Sequence, residues 1–321
     1  MRIITFKDIT SLNISPATSY NWAKELVVSK PQSIVPIKTS IKRPDGVFFT
    51  SMPSFVSNQD GKQWGGVKVV TRYPSRVPSL DSRILLANAE TGEFLAIMDG
   101  TWITAMRTGA LSALSTMLFA KKDFSTMGFM GLGNVSRSML LHLLEEIGNR
   151  ELNIKLLKYK EQEEDFARRF TSYRNVKFTF VDTPDEMARE TEVIISGATY
   201  LPDNVCSNDS FCEGVFLQPI HTLGFTNCDL FFDKVFVDDI AHVSNFRNFD
   251  RFRSVTEVSS VLNGDKPGRE SNHERILAYN IGISTYDVGF AAKIYETLQT
   301  TGVLDTLPEC DFKEPDSKFW V

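Results

Sequence analysis

Two short segments of this chain hold residues that could do chemistry side by side. Residues 96–110 are mostly apolar or small and contain one arginine, Arg107, while residues 131–136 read Gly-Leu-Gly-Asn-Val-Ser. An arginine among apolar residues needs an anion, because a buried guanidinium without a partner is costly. A glycine-rich turn that leads from a strand into a helix presents backbone N–H groups to a phosphate. The two segments therefore predict a carboxylate-binding pocket next to a dinucleotide-binding turn.

Two cationic side chains are candidates for that pocket, and each has an alternative interpretation. Arg107 would bind a substrate carboxylate through its planar fork, or it would form a structural ion pair with Asp99 or another acid. Lys68 interrupts an otherwise apolar strand. It would face the pocket as a charge partner or proton carrier, or it would point outward from the other face of the strand.

A third candidate, His221, follows the predicted strand that ends at Pro219. Open parallel sheets bind their ligands at the carboxyl ends of the strands, and histidine titrates near neutral pH. His221 is therefore a candidate proton donor, and the alternative is a loop histidine without a catalytic role. The other histidines, which lie far apart along the chain, show no metal-ligand spacing, so no metal site is predicted.

The glycine turn has the sequence context of a nucleotide site. It lies between a predicted strand at residues 126–130 and a predicted helix at residues 138–146, with Ser136 in the third glycine position of the motif. The next predicted strand is followed by Lys158, with Glu161 slightly later. An acid at that strand end would bind a ribose 2′-hydroxyl, and a base would accept a 2′-phosphate. The sequence predicts NAD or NADP and favours NADP.

Two kinds of pattern must position these residues. In the first hundred residues, β-like runs alternate with turns, which predicts neighbouring strands of one sheet at residues 46–53, 65–71 and 83–88. Apolar residues at helical spacing then predict one long helix from Thr101 to about Lys121. Beyond it, strands alternate with helical or loop segments, as in a parallel sheet with crossover helices. The predicted strands are residues 153–159, 176–181, 192–196, 215–219 and 234–237.

These patterns predict an α/β fold. A Rossmann-type doubly wound parallel sheet at residues 120–282 would bind the dinucleotide. Residues 1–119 and 283–321 would form a second, discontinuous α+β domain that binds the substrate. The final helix, predicted from Gly289 to Thr301, would return to pack near the first part of that domain.

Composition narrows the classes of partner. With 35 basic and 40 acidic residues, the net charge is −5, and no basic stripe suits a nucleic acid. The N-terminus has no apolar stretch long enough for a signal peptide or membrane anchor. The four cysteines show no paired spacing and predict separate reduced thiols. We therefore expect a cytoplasmic protein that binds neither nucleic acid nor membrane.

Several motifs together resemble the ornithine cyclodeaminase/mu-crystallin family over most of the chain. They include the segment from Asp99 to Ala110 and the glycine turn discussed above. The others are Ser51-Met52-Pro53, Gly66-Val67-Lys68, Val237-Asp238-Asp239 and Gly264-Asp265-Lys266-Pro267-Gly268-Arg269.

The resemblance implies a homodimer whose split domain supplies the interface, and a small α-amino or α-imino acid as substrate. Arg107 and Lys68 match the family's carboxylate-binding residues, and Met52 would line the pocket. Asn280 and Ile281 match the segment that closes over the nicotinamide. The full set of expected cofactor-binding residues is Thr108, Gly131, Gly133, Asn134, Val135, Ser136, Lys158, Ala198, Thr199, Asn280 and Ile281.

The chain departs from the family in one segment. Catalytic members carry an acid-base aspartate near the place where this sequence has Gly224, and a lysine near the place of Asn227. Either His221, Asp229 or Lys68 takes over the proton, or the protein binds its nucleotide without cyclodeaminase turnover. Imine reduction needs less acid-base help than cyclodeamination, because a protonated imine is already electrophilic. We therefore predict an NAD(P)-dependent oxidoreductase of the amino acid dehydrogenase or imine reductase type, with a mu-crystallin-like binder as the alternative.

Overall fold

The structure, a computed structural model, describes residues 1–58, 61–198, 205–220 and 229–312. His221, Gly224, Asn227, Cys228 and Thr199 lie outside the described residues.

The first sheet is built from the N-terminal hundred residues. Its six strands are β1 (Arg2–Ile4), β2 (Thr39–Lys42), β3 (Phe48–Ser57), β4 (Gln63–Arg72), β5 (Leu80–Asn88) and β6 (Phe94–Asp99). They are arranged in the order β1-β6-β5-β4-β3-β2, with β1 parallel to β6 and all other pairs antiparallel. The prediction that β3, β4 and β5 are neighbours in one sheet is confirmed.

The second sheet has eight strands, and every pair in it is parallel. Its strands are β7 (Thr126–Met130), β8 (Leu152–Leu157), β9 (Val176–Val181), β10 (Val193–Ser196), β11 (Phe216–Pro219), β12 (Lys234–Val237), β13 (Val255–Glu257) and β14 (Ile276–Tyr279). The order β9-β8-β7-β10-β11-β14-β12-β13 reverses direction between β7 and β10. This arrangement confirms the predicted doubly wound fold, and β7 and β10 flank the point where such sheets bind ligands.

The helices cover and connect the two sheets. They are α1 (Phe6–Ser11), α2 (Pro16–Ser29), α3 (Thr101–Phe119), α4 (Asn134–Ile147), α5 (Gln162–Arg169), α6 (Pro184–Ala188), α7 (Ile240–Val243), α8 (Val258–Leu262) and α9 (Ser284–Thr300). Helix α3 packs against α2, α4 and α9, and α9 packs against β3 and β4. The predicted long helix is therefore present and joins the two sheets. The domain boundaries at 119/120 and 282/283 stay a prediction.

The last helix begins earlier than the sequence suggested. We predicted its start at Gly289, but α9 begins at Ser284. Gly289 lies inside the helix, and a Cβ built there would lie 2.7 Å from Leu26 Cδ1 of α2. The glycine permits close packing between two helices and does not mark a helix start. The error matters because it left Asp287, in the first turn of α9, outside the predicted helix.

A second glycine lets α3 cross α4 at short range. A Cβ built at Gly109 would meet Ser138 Oγ and lie 2.6 Å from the backbone nitrogen of Met139. Ser138 Oγ also donates to Met106 Sδ at 3.3 Å. Since Met106 precedes Arg107, this crossing holds the arginine's turn of α3 close to the start of α4.

The crossing gives a stability prediction. We expect Gly109→Ala to lower the free energy of unfolding by about 1–3 kcal/mol, the usual cost of overpacking, as measured by denaturant unfolding. The control is Gly133→Ala, because an added Cβ there meets nothing within 4 Å. An unchanged midpoint for Gly109→Ala would show that the two helices are not in contact at this glycine.

Candidate active site

The glycine turn connects β7 to α4 and requires residues without a side chain. Gly131 has a φ of +81°, in the left-handed region, and a Cβ built there would lie 2.5 Å from the Ala198 nitrogen and the Gly197 carbonyl carbon. Ser136 Oγ donates to the Gly131 carbonyl at 2.6 Å and so closes the turn. The turn therefore packs directly against the segment that follows β10.

The start of α4 is open. Its N-cap residue, Gly133, has no side chain to bond the first N–H groups, and nothing lies within 4 Å of where a Cβ would be. Unsatisfied N–H groups and the positive end of the helix dipole form a ready site for a phosphate. The turn thus fits the pyrophosphate of a dinucleotide without any basic side chain.

The end of β8 carries the expected basic residue. Lys158 Nζ lies 2.9 Å from Asp182 Oδ1, and both side chains are exposed. Glu161, which we considered as an alternative ribose ligand, is exposed and adopts a left-handed conformation before α5. The acid that folds onto this turn is Glu163, whose Oε2 accepts the Tyr159 N–H at 3.1 Å.

The predicted carboxylate site contains a buried acid of its own. Asp287 Oδ1 accepts from Lys68 Nζ at 2.8 Å and from Arg107 Nε at 2.9 Å, and its Oδ2 accepts from an Arg107 Nη at 3.2 Å. The three residues are 0%, 2% and 5% exposed for Asp287, Lys68 and Arg107. They form one hydrogen-bonded cluster, which we call the Asp287 cluster.

Three elements meet at this cluster. Lys68 is on β4, where it is paired in register with Met52 of β3. Arg107 is in the second turn of α3, and Asp287 is in the first turn of α9. Ser284 Oγ donates to the Pro53 carbonyl at 2.7 Å and fastens the start of α9 to β3. The cluster therefore depends on the packing of α9 across the first sheet.

Burial and neighbouring charges set the protonation of these groups. Burial lowers the pKa of Lys68 to about 8, although Asp287 opposes the effect. Burial raises the pKa of Asp287, but Arg107 and Lys68 outweigh it and hold the pKa below its usual value. Burial also lowers the pKa of a third cation, Lys38, to about 8, and the charge of Arg107 adds to the shift. Lys38 thus shares the electrostatic environment of the Asp287 cluster.

A polar chain joins the cluster to the second sheet. A Cβ built at Gly282, where φ is +73°, would collide with Arg107 Nη1, so the guanidinium lies against this glycine. The Gly282 N–H donates to Asp238 Oδ2 at 2.8 Å, and Asn280 donates to Asp238 Oδ1 at 2.9 Å. Gln218 donates in turn to Asn280 Oδ1 at 2.5 Å. The carboxyl ends of β11, β12 and β14 are thereby tied to Arg107.

The structure brings most of the predicted site residues to the same sheet edge. The turn residues and Ala198 lie at the ends of β7 and β10, while Asn280 and Ile281 follow β14 beside Arg107. Thr108, the neighbour of Arg107 on α3, bonds its hydroxyl to the Thr104 carbonyl. The roles of all these residues stay predictions.

The structure decides between the alternatives for two of these residues. Arg107 forms an ion pair with an acid, but that acid is Asp287 and not Asp99, which lies 3.1 Å from Arg83. Lys68 does not point outward, because its side chain is buried against Asp287. The carboxylate of Asp229 accepts hydrogen bonds from Asn248 and Tyr279. These partners belong to a different cluster from Lys68.

Sequence reasoning missed Asp287 and Asp238 as members of the site. Asp287 was missed because its helix was predicted to begin at Gly289, two residues after the aspartate. Asp238 was noticed only as part of a motif, although an acid directly after an apolar strand is a usual site signal in parallel sheets. Within the described ranges no group of three metal-ligating side chains converges. None of the helices that the structure describes is long and apolar enough to cross a membrane.

Comparison with known proteins identifies relatives over nearly the whole chain. The sequence model of the ornithine cyclodeaminase/mu-crystallin family matches residues 18–302. The N-((2S)-2-amino-2-carboxyethyl)-L-glutamate dehydrogenase of Staphylococcus aureus is 24% identical over 275 residues, which cover 80% of this chain and 81% of that protein.

Solved structures show the same architecture. The Δ1-pyrroline-2-carboxylate reductase of Thermococcus litoralis, solved with NADH and L-proline, has a TM-score of 0.81 at 25% identity, covering 94% of this chain and 99% of that one. An archaeal alanine dehydrogenase dimer with bound NAD has a TM-score of 0.80 at 23% identity, covering 94% and 97%. The second likeness supports the fold.

Proposed function

This chain belongs to the ornithine cyclodeaminase/mu-crystallin family, and on that premise we propose that it is an NAD(P)-dependent oxidoreductase acting on the Cα–N bond of a small amino or imino acid. The observation that carries the proposal is the single sheet edge at which the open glycine turn and the Asp287 cluster meet. A nicotinamide cofactor bound there would supply or accept the hydride. The chain's own residues bind and orient the substrate.

The substrate carboxylate binds between Arg107 and Lys38. Arg107 Nε and Nη2 each donate a hydrogen bond to Asp287, while Nη1 lies against Gly282. Among the described residues, none forms an ion pair or hydrogen bond with Lys38, which makes its ammonium the cation best placed for an incoming anion. Met52, in register with Lys68, lines the apolar side of the pocket.

Lys68 is the favoured proton carrier of the residues that could replace the family's aspartate. Its pKa of about 8 allows it to exist in both protonation states near neutral pH. Asp229 is already bonded to Asn248 and Tyr279. A lysine that also contacts the carboxylate-binding arginine through Asp287 couples proton transfer to substrate binding.

A nucleotide-binding protein without turnover is the second candidate. It is favoured by the observation that Asp287 already neutralises one of the two charges of Lys68 and Arg107 inside the fold. The two functions differ in one readout. A binder would quench or enhance NADPH fluorescence but would not change NADPH absorbance with any amino or imino acid.

The activity prediction rests on Arg107. With Δ1-pyrroline-2-carboxylate and pyruvate plus ammonia as probes, we expect NADPH oxidation by the wild type and an increase in KM of about 100-fold in Arg107→Ala, the usual loss for a buried charge partner. The control is Arg43→Ala, since Arg43 pairs with Asp45 in solvent. An Arg107→Ala variant that binds NADPH but keeps the wild-type KM would refute the assignment.

We propose NADP(H) as the preferred cofactor, with Lys158 at the 2′-phosphate. Lys158 follows β8, at the position where an acid would select a free ribose. Its partner Asp182 is exposed, and an exposed ion pair of this kind is weak. A phosphate can therefore displace Asp182 from Lys158.

The cofactor prediction uses both members of that pair. We expect Lys158→Ala to weaken NADPH binding by about tenfold while leaving NADH binding unchanged, because one charge-assisted contact is lost. Asp182→Asn, which frees the lysine, should strengthen NADPH binding and leave NADH binding unchanged. Equal changes for the two nucleotides in fluorescence titrations would exclude Lys158 from the phosphate site.

We also propose a homodimer formed through the outer face of the first sheet. Helix α9 covers one face, but the other exposes a row of large apolar side chains, which is unusual for a monomer. Exposed fractions on this face are 70% for Ile41, 50% for Phe49, 48% for Phe55 and 57% for Phe94. Cys212 and Cys310 form no disulfide with a described residue, which agrees with a cytoplasmic location.

The dimer prediction can be tested with a single charge. We expect Phe49→Asp to convert the dimer to a monomer in light scattering after size exclusion, because a buried unpaired carboxylate is costly at an interface. Phe6→Asp is the matched control, since Phe6 is 48% exposed on α1. A dimeric Phe49→Asp protein would place the interface elsewhere.

A further inference from the structure

The residue at the centre of the Asp287 cluster is an acid for which the proposed function has no role so far. Asp287 is fully buried, and its two carboxylate oxygens accept three hydrogen bonds from two cations. Stability alone does not explain why an ion triad is present, because replacing all its members by apolar residues of similar volume is often neutral or stabilising. Its position between Arg107, the proposed carboxylate ligand, and Lys68, the proposed proton carrier, requires another explanation.

The hydrogen bonds fix the directions of the remaining donors. Lys68 has three ammonium hydrogens and Arg107 has five N–H groups, while Asp287 accepts one bond from the lysine and two from the arginine. The two cations come from different elements, β4 and α3, whereas Asp287 comes from α9. One carboxylate therefore sets the relative orientation of two side chains that otherwise have many rotamers.

Charge balance gives Asp287 a second task. Arg107 and Lys68 hold the pKa of Asp287 below its usual value, so its carboxylate offsets one of their two positive charges. The other positive charge remains available to attract the carboxylate of a substrate. Without Asp287, Lys68 and Arg107 would be buried together with no anionic partner in the cluster.

We propose that Asp287 is the positioning residue of the substrate site: it orients Arg107 towards the substrate carboxylate and Lys68 towards the reacting atoms, and it offsets one of their two positive charges. The inference rests on the proposed binding of the carboxylate by Arg107 and the proposed proton transfer by Lys68. Asp287 does not touch the substrate, and it acts through Lys68 and Arg107.

The charged groups around Lys68 determine how its titration responds. Asp287 on α9 faces it with a negative charge, and Arg107 on α3 faces it with a positive one. Lys38, which precedes β2, adds a second positive charge. Asp238, after β12, acts on Lys38 and Arg107. Removing the charge of Asp287 leaves Lys68 among cations, so its pKa falls below the native value of about 8.

The test measures Lys68 directly in Asp287→Asn, an uncharged variant of nearly the same shape. Protein labelled with 15N-lysine is titrated by NMR, and Lys68→Met identifies the Lys68 ammonium signal. We expect the Lys68 midpoint to fall by about 1–2 pH units, the size of shift that one close opposite charge produces. An unchanged midpoint would overturn the proposal.

Glu257→Gln is the matched control. Glu257 pairs with the buried Lys30 at 2.6 Å, outside the Asp287 cluster. It should lower the midpoint of Lys30 and leave that of Lys68 unchanged. A general loss of stability would move both variants alike, whereas a positioning role moves Lys68 only in Asp287→Asn.

Kinetics provide the second readout. With Δ1-pyrroline-2-carboxylate and NADPH, we expect kcat/KM of Asp287→Asn to fall about 10- to 100-fold, the usual effect of misplaced binding groups. The basic limb of its pH profile should move to lower pH with the Lys68 midpoint. In a Lys68→Met background, Asp287→Asn should have a much smaller effect, because the two residues act as a unit. Additive effects would overturn the proposal.

The outcomes separate this inference from the proposed function. Failure of the wild type to oxidise NADPH would refute the function, yet the NMR titration would still test the link between Asp287 and Lys68. If Asp287→Asn does not fold, Asp287→Glu, which keeps the charge, should retain the native Lys68 midpoint. If neither variant folds or binds NADPH, the residue is structural and the proposal is overturned.

Discussion

The buried carboxylate of Asp287 is the constraint on which the rest of this structure depends. It draws Lys68 from the first sheet and Arg107 from the long helix α3 into one hydrogen-bonded cluster. Lys68 and Arg107 would each be costly to bury without a carboxylate. The cluster therefore requires that α9 stay packed on the sheet and that α3 stay packed on α9. The Gly282 backbone lies against the same guanidinium and connects the cluster to the parallel sheet through Asp238 and Asn280.

This arrangement brings the glycine turn and the Asp287 cluster close enough to form one site. The glycine turn after β7 offers open N–H groups to a phosphate, and the crossing at Gly109 brings α3 to the start of α4. The residue before Arg107 therefore contacts the helix whose N-terminus is the proposed phosphate site. A carboxylate bound at Arg107 and a cofactor bound at the turn would be positioned by one set of close helix contacts, which would hold the reacting atoms in a fixed relation.

The sequence predicted the parts of this structure that local patterns determine. Alternating apolar residues and turn signals identified β3, β4 and β5 of the first sheet and β7 to β12 of the second, and the spacing around Gly131 identified the turn. The strands β1, β2, β6, β13 and β14 were not predicted. It could not identify the partner of Arg107, because Asp287 lies 180 residues further along the chain and no local pattern relates them. The misplaced start of α9 had a similar cause, since only the tertiary contact with Leu26 explains Gly289.

The most direct measurement is a crystal structure of the protein with NADP(H) and L-proline, the amino acid bound by the Thermococcus relative. We expect a carboxylate oxygen within about 3 Å of Arg107 and of Lys38, with the Lys68–Asp287 bond intact. A ligand carboxylate bound away from both cations, or one that displaces Asp287 from Lys68, would contradict this expectation.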